Sequence, residues 1–163
     1  MLLLILLLTL PPTAKVPATL PANALSEVER FEQDFVHLKT VSPDGKQAIV
    51  FWSLREPSHA DTTLPTTPRT NSAVVRLVLH NCITPSGATD YHAALLSEVG
   101  KDGVLPSLGD YAVYRSYGPR TTVSVRAGQY VFSVSAPDHA VALRVAHHVA
   151  TVLNRYVAYP EDE

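Results

Sequence analysis

The sequence predicts an α+β domain: a mainly antiparallel sheet of about five strands, with helices packed on one side, in the order α-β-β-α-β-β-β-α. Three observations carry this expectation. Residues 111–135 alternate apolar with small or polar side chains across two short Gly-containing breaks, the pattern of a three-stranded meander. Two earlier runs, 47–54 and 73–80, are short and mostly apolar, and Ala48 to Trp52 is apolar at every position, as a strand buried on both faces is. Between and around them lie stretches whose apolar residues recur at spacings of three and four, the helical period.

Taken in chain order, Ser26-x-x-Glu29 has the form of a capping box, and Val28, Phe31, Phe35 and Leu38 continue as one apolar stripe. This predicts a helix to about Lys39, with Glu27, Glu29, Glu32 and Asp34 at the favourable end of its dipole. Val41-Ser42-Pro43-Asp44-Gly45-Lys46 is a turn, because Pro fixes φ and Gly permits positive φ. The same hexapeptide resembles a β-propeller blade turn, but it occurs once, which excludes a propeller. The first strand, Gln47 to Leu54, follows, and then a Pro/Thr-rich loop at 55–72. A loop of this length in a compact domain is unusual and reads either as an excursion between strands or as a partner-binding flap.

The next strand runs from Ala73 to His80. Thr89 or Asp90 is placed to cap a helix through Val99, with Gly100 just past its end and a connecting loop over 101–109. In the meander, Tyr111–Tyr117, Thr121–Arg126 and Gln129–Ser135 are the strands. Val123, Val125, Tyr130, Phe132 and Val134 face inward there. Ser135 is a candidate cap for a last helix with Pro137 in its first turn and a broad apolar face from Ala142 to Tyr156.

The amino-terminal end sets the compartment. Leu2 to Leu10 is apolar apart from Thr9, and it is followed by a Pro-rich stretch and Ala22-Asn23-Ala24. This is the h-region and A-x-A pattern of a secretory signal peptide, predicted over residues 1–24, although no Lys or Arg precedes the apolar run. Nine residues span roughly 13 Å as a helix, short of the ~30 Å hydrocarbon core, so no stable membrane span is expected after cleavage. No Cys stands at the cleavage pattern for lipid attachment. The remainder, 25–163, has the length of a single domain with a sizeable core. Cys82 is the only cysteine, which excludes an internal disulfide. The formal net charge of −2 has no basic excess and argues against nucleic-acid and anionic-membrane partners. The expected localisation is secreted or periplasmic.

Chemistry-bearing patterns are sparse. The seven His residues fall into none of the metal-binding spacings, so no metal and no cofactor is expected, and His147 and His148 read as a solvated helix flank. No G-x-S-x-G elbow is present, and Ser135, Asp138 and His139 are accounted for by helix capping. Gly100-Lys101-Asp102-Gly103 lacks the spacing of a phosphate loop and reads as a polar turn. His80 and Cys82, two apart on an extended chain, share a face, where imidazole could activate thiol; the plainer reading is a small apolar Cys at a strand end. The candidate binding surface is Tyr111, Arg115, Tyr117, Arg120 and Arg126. Tyr and Arg are enriched at interface hot spots, and Tyr111, Arg115 and Tyr117 point to one strand face with Tyr114 on the other. Cross-strand pairing of aromatics with Arg at the rim accounts for the same residues.

Leu108-Gly109-Asp110-Tyr111-Ala112, then Val123-Ser124-Val125-Arg126-Ala127-Gly128, a strand and a long amphipathic helix, resembles a recurrent pattern in uncharacterised bacterial exported and lipoprotein-type domains. There a G-D-x-A element precedes a V-R-x-G hairpin and a C-terminal helix. The resemblance covers about residues 105–157 and implies an envelope location with no catalytic residues to carry over. The function expected from these observations is an exported, non-enzymatic domain binding a small ligand or protein partner at the cell envelope. A thiol enzyme using Cys82 and His80 and a structural envelope protein are the alternatives.

Overall fold

The computed structural model describes residues 18–32, 35–54 and 74–157. Residues 1–17 of the predicted leader and the predicted Pro/Thr-rich loop at 55–72 lie outside the described residues. Helix α1 spans Ala22–Glu29 and leads into strands β1 (Phe35–Val41), β2 (Gln47–Leu54) and β3 (Val74–Asn81). Helix α2 (Pro85–Val99) follows, then β4 (Gly103–Val104), β5 (Tyr111–Tyr117), β6 (Arg120–Ala127), β7 (Tyr130–Ala136) and helix α3 (His139–Leu153). The strands form one seven-stranded antiparallel sheet in the order β1-β2-β3-β7-β6-β5-β4. The α+β antiparallel class is as expected. The strand number and helix placement are not.

Alternation along each strand builds two different faces. Ala48, Val50, Trp52, Leu77, Leu79, Val123, Val125, Phe132 and Val134 point to one face and are fully buried under α1 and α3. The other face is covered by α2 across β6 and β7, where His92, Leu95 and Val99 lie over Ser124, Ser133, Thr122 and Val113. Helices therefore sit on both sides of the sheet, not on one. The reason lies in the sequence of β6: Thr122, Ser124 and Arg126 look polar enough for solvent, yet Ser124 is buried because His92 satisfies its hydroxyl.

The first predicted helix is the largest correction. The helix ends at Glu29, and Phe35–Val41 is the edge strand β1, paired with β2 from Phe35↔Leu54 to Val41↔Ala48. The stripe of Val28, Phe31, Phe35 and Leu38 fits the helical period by coincidence, since Leu38 is 67% exposed. Pairing with the apolar run of β2 outweighs local preference. The capping box does not form: Ser26 lies inside α1, whose N-cap is Pro21 with no side-chain bond. In its place Trp52 donates its indole N–H to the Glu29 carbonyl, and Lys39 and His37 pair with the Glu29 carboxylate. The His148 ring sits against Phe31, with Nε2 at 3.2 Å from the Glu27 and Val28 carbonyls. His148 thus docks α1 on α3 instead of lining a solvated flank; His147 is exposed.

Helix α2 begins four residues earlier than Thr89, at Pro85, with the Thr84 hydroxyl accepting from the Gly87 N–H at 3.1 Å. Asp138, not Ser135, caps α3 by accepting from the Val141 N–H at 2.8 Å. The Ala22-Asn23-Ala24 pattern opens α1, with Ala24 only 1% exposed. Among the described residues no helix is long and apolar enough to cross a membrane.

Candidate functional site

Two local structures bring together residues that are distant in the sequence. The first is built by the Gly109-Asp110 and Arg126-x-Gly128 elements. Gly109, at φ +64°, packs so tightly that a Cβ there would stand 2.5 Å from the Arg126 carbonyl oxygen. The Asp110 N–H donates to that same carbonyl at 2.8 Å, and its carboxylate accepts from the Gly128 N–H at 2.7 Å. This clasp fixes the start of β5 against the β6–β7 hairpin, and it explains why these four residues stand at these spacings without any chemistry.

The expected Tyr/Arg surface lies on the α2 side of the sheet, with Tyr114 on the opposite face beside His139. Its members are largely committed to internal contacts. Tyr111 meets the His92 ring edge-on and accepts from Lys101 at 3.0 Å. Arg126 donates to the Thr89 hydroxyl at 2.6 Å, tying β6 to α2. Arg120 donates to the Val74 and Ser135 carbonyls at 2.8 and 3.1 Å, spanning the β3 and β7 ends. Arg115 is half-buried and stacks its guanidinium 4.2 Å from the centroid of the Tyr117 ring, and Tyr117 is 54% exposed. The strand periodicity places these side chains on one face, but helix α2 runs over part of that face.

Beneath α2, His92 Nε2 lies 3.0 Å from Ser124 Oγ, which accepts from Ser133 Oγ at 3.2 Å. Burial, with Arg126 adding to it, pushes His92 down to about 4, so the ring is neutral at pH 7. This His–Ser–Ser chain was not among the candidate residues, because its members are separated in sequence and match no motif. The adjoining void is only about 30 Å3, and His92 is buried. The chain serves to satisfy polar groups and fix how α2 sits on the sheet.

The second local structure is an open cleft of about 450 Å3 at the junction of the β1–β2 turn, the end of β3 and the start of α2. Ser42, Asp44, Lys46 and Gln47 come from the turn, His80, Asn81, Cys82 and Ile83 from the end of β3, and Gly87 and Tyr91 from α2. The turn forms as Ser42-Pro43-Asp44-Gly45 predicts, with Gly45 at φ +69°. The Ser42 hydroxyl and Lys46 N–H donate to Asp44 and hold its carboxyl below the usual range. Gln47 Nε2 lies 3.0 Å from His80 Nε2. The Tyr91 hydroxyl reaches the same nitrogen at 2.9 Å. Burial lowers the His80 pKa, against a smaller opposing pull from Asp44.

Cys82 and His80 do line one cleft. Burial pushes the Cys82 thiol up, which keeps it protonated and a poor nucleophile, and His80 Nε2 is taken by Gln47 and Tyr91. The junction is strained: Ile83, β-branched, sits at φ +69°. Buried Asn81 holds it there, accepting from the Ile83 N–H at 2.9 Å while its Nδ2 donates to the Thr19 carbonyl at 3.2 Å. Ile83 is not legible from sequence, since nothing in Asn81-Cys82-Ile83 asks for positive φ. Among the described residues no group of three His, Cys, Asp or Glu side chains is placed to hold a metal ion.

No family model matches the chain, and no curated protein matches it in sequence. Among solved structures it is similar to a GTP binding regulator from Thermotoga maritima, with a TM-score of 0.50 over 82% of this chain and 86% of that one. At 13% identity the likeness is one of fold.

Proposed function

We propose that this chain is an exported, non-enzymatic domain that binds a small polar ligand at the cell envelope, and that the β3–α2 cleft is where it binds. The observation that carries this reading is the convergence on one 450 Å3 opening of polar side chains from three separate stretches of chain, around a strained, side-chain-braced turn. That volume is within the range of small-molecule sites. Asp44 and Lys46 balance one another in charge, and His80 is neutral at pH 7, so the cleft suits a net-neutral polar molecule such as a free amino acid or a monosaccharide. The raised thiol pKa and the occupied imidazole favour binding over thiol catalysis.

The test is a thermal-shift screen with free amino acids and monosaccharides at millimolar concentration. A compound at 100 times its Kd stabilises the folded state by about 2.7 kcal/mol, a readily measured rise in Tm. The reading expects a shift in the wild type that is lost in Gln47→Ala. No shift from any probe, or a shift that Gln47→Ala leaves intact, overturns the cleft as the site.

A partner-binding reading at the strand surface retains one specific support, the exposed Tyr117 ring with Arg115 stacked on it. Tyr and Arg side chains of this kind anchor protein interfaces. Loss of a captured envelope protein on changing Tyr111, Arg115 and Tyr117 together to Ala, with the cleft variant unaffected, would move the function there.

A further inference from the structure

Resting on the export reading above, we infer that the leader is cut after Ala18, between Ala18 and Thr19, and that the mature chain keeps Thr19 to Ala24. The segment in question is built into the fold. The Leu20 N–H donates to the Gly45 carbonyl at 2.8 Å, and its side chain is 7% exposed within the core. The Thr19 carbonyl takes the Asn81 Nδ2 bond, and Thr19 packs its methyl over Gly45. Pro21 is the N-cap of α1, and its carbonyl accepts from the Leu25 N–H at 3.1 Å. Ala24 packs in the same cluster as Val28 and Trp52.

A cut after Ala24 would remove all of this. Three of the eight residues of α1 would go, with its N-cap, two core side chains and the partner that helps hold Asn81 at the cleft. A cut after Ala18 has none of these costs. Ala18 and Thr19 are both exposed, so an ammonium at Thr19 stands in water. Val16-Pro17-Ala18 supplies Ala before the scissile bond and a modest aliphatic side chain two residues earlier, an A-x-A-like pattern. Ala14, further upstream, has Pro12 at the earlier position. The reaction is peptide-bond hydrolysis: water adds to the Ala18 carbonyl carbon, the C–N bond breaks, and Thr19 leaves as the free amine.

The experiment is expression of the full chain from Met1 in an exporting bacterial host, with amino-terminal sequencing of the exported and retained fractions. The expected exported sequence begins Thr-Leu-Pro-Ala-Asn. Ala18→Arg should lose that product at least tenfold. Ala22→Arg, an exposed change that spoils the Ala22-x-Ala24 pattern, should leave it unchanged. A mature start at Leu25, or at any residue other than Thr19, overturns the placement while leaving export standing. An uncut chain confined to the cytosol overturns both.

Discussion

The two halves of the sheet are built on different terms. Strands β6 and β7 lie between α2 and α3, covered on both faces, and the Gly109-Asp110 clasp pins the start of β5 to their hairpin. Strands β1 and β2 meet α1 on one face, and on the other face α2 reaches the end of β3, where Tyr91 packs on His80. On the other face Leu38 is exposed and Ile49, Phe51 and Val78 are half-buried. The covered half carries the fold, and the cleft is made at the turn ends of the open half. The clasp sits on one side of the molecule's division, and the strained Ile83 junction sits at its seam.

That contrast can be broken most forcefully at Gly109. A side chain there meets the Arg126 carbonyl and demands a left-handed backbone, so Gly109→Ala is expected to cost about 3 kcal/mol or more, read from chemical denaturation. A cost under about 1 kcal/mol would mean that the clasp does not hold the covered half.

The buried His92 gives the next largest effect, through pH. Its folded pKa of about 4 lies below the ordinary value of about 6.5, so the unfolded chain binds a proton that the folded chain refuses. Above pH 6.5 the ring is neutral in both states and contributes nothing to the pH dependence. As pH falls from about 6.5 to 4 stability is lost, reaching about 3 kcal/mol, and the loss then levels off. His92→Asn should flatten that part of the stability–pH curve, and a curve of unchanged slope would contradict the buried neutral ring.

At the seam, Asn81→Ala removes the bonds to the Ile83 N–H and the Thr19 carbonyl. It should cost about 2 kcal/mol and release the strained turn, read as faster amide exchange at Ile83. On the open half, Leu38→Lys should change stability by no more than about 0.5 kcal/mol. A large loss there would show that something covers this face.

The same division separates what the sequence disclosed from what it did not. Strict alternation with both faces buried made Thr121 to Ala136 readable, because Val123, Val125, Phe132 and Val134 can be satisfied in only one register. Gly109, Asp110 and Gly128 stood out as a pattern because their backbone geometry tolerates few substitutes. In the open half the signal was ambiguous. Phe31, Phe35 and Leu38 fit a helical stripe, while the residues that decide the matter, Ala48 to Trp52, lie further along the chain and act only through pairing. His80 and Cys82 were legible as neighbours on a strand face. Gln47, Asn81, Ile83 and Tyr91 were not, because the cleft is assembled by tertiary contact among residues that are ordinary in isolation.

The proposed ligand site is the β3–α2 cleft. A 15N-resolved NMR titration of the exported protein with the amino acid or monosaccharide that raises Tm tests it most directly. Amide shifts should concentrate at residues 42–47, 80–83 and 87–91. Shifts centred on Arg115 and Tyr117, or spread evenly over the surface with no saturation, would contradict it.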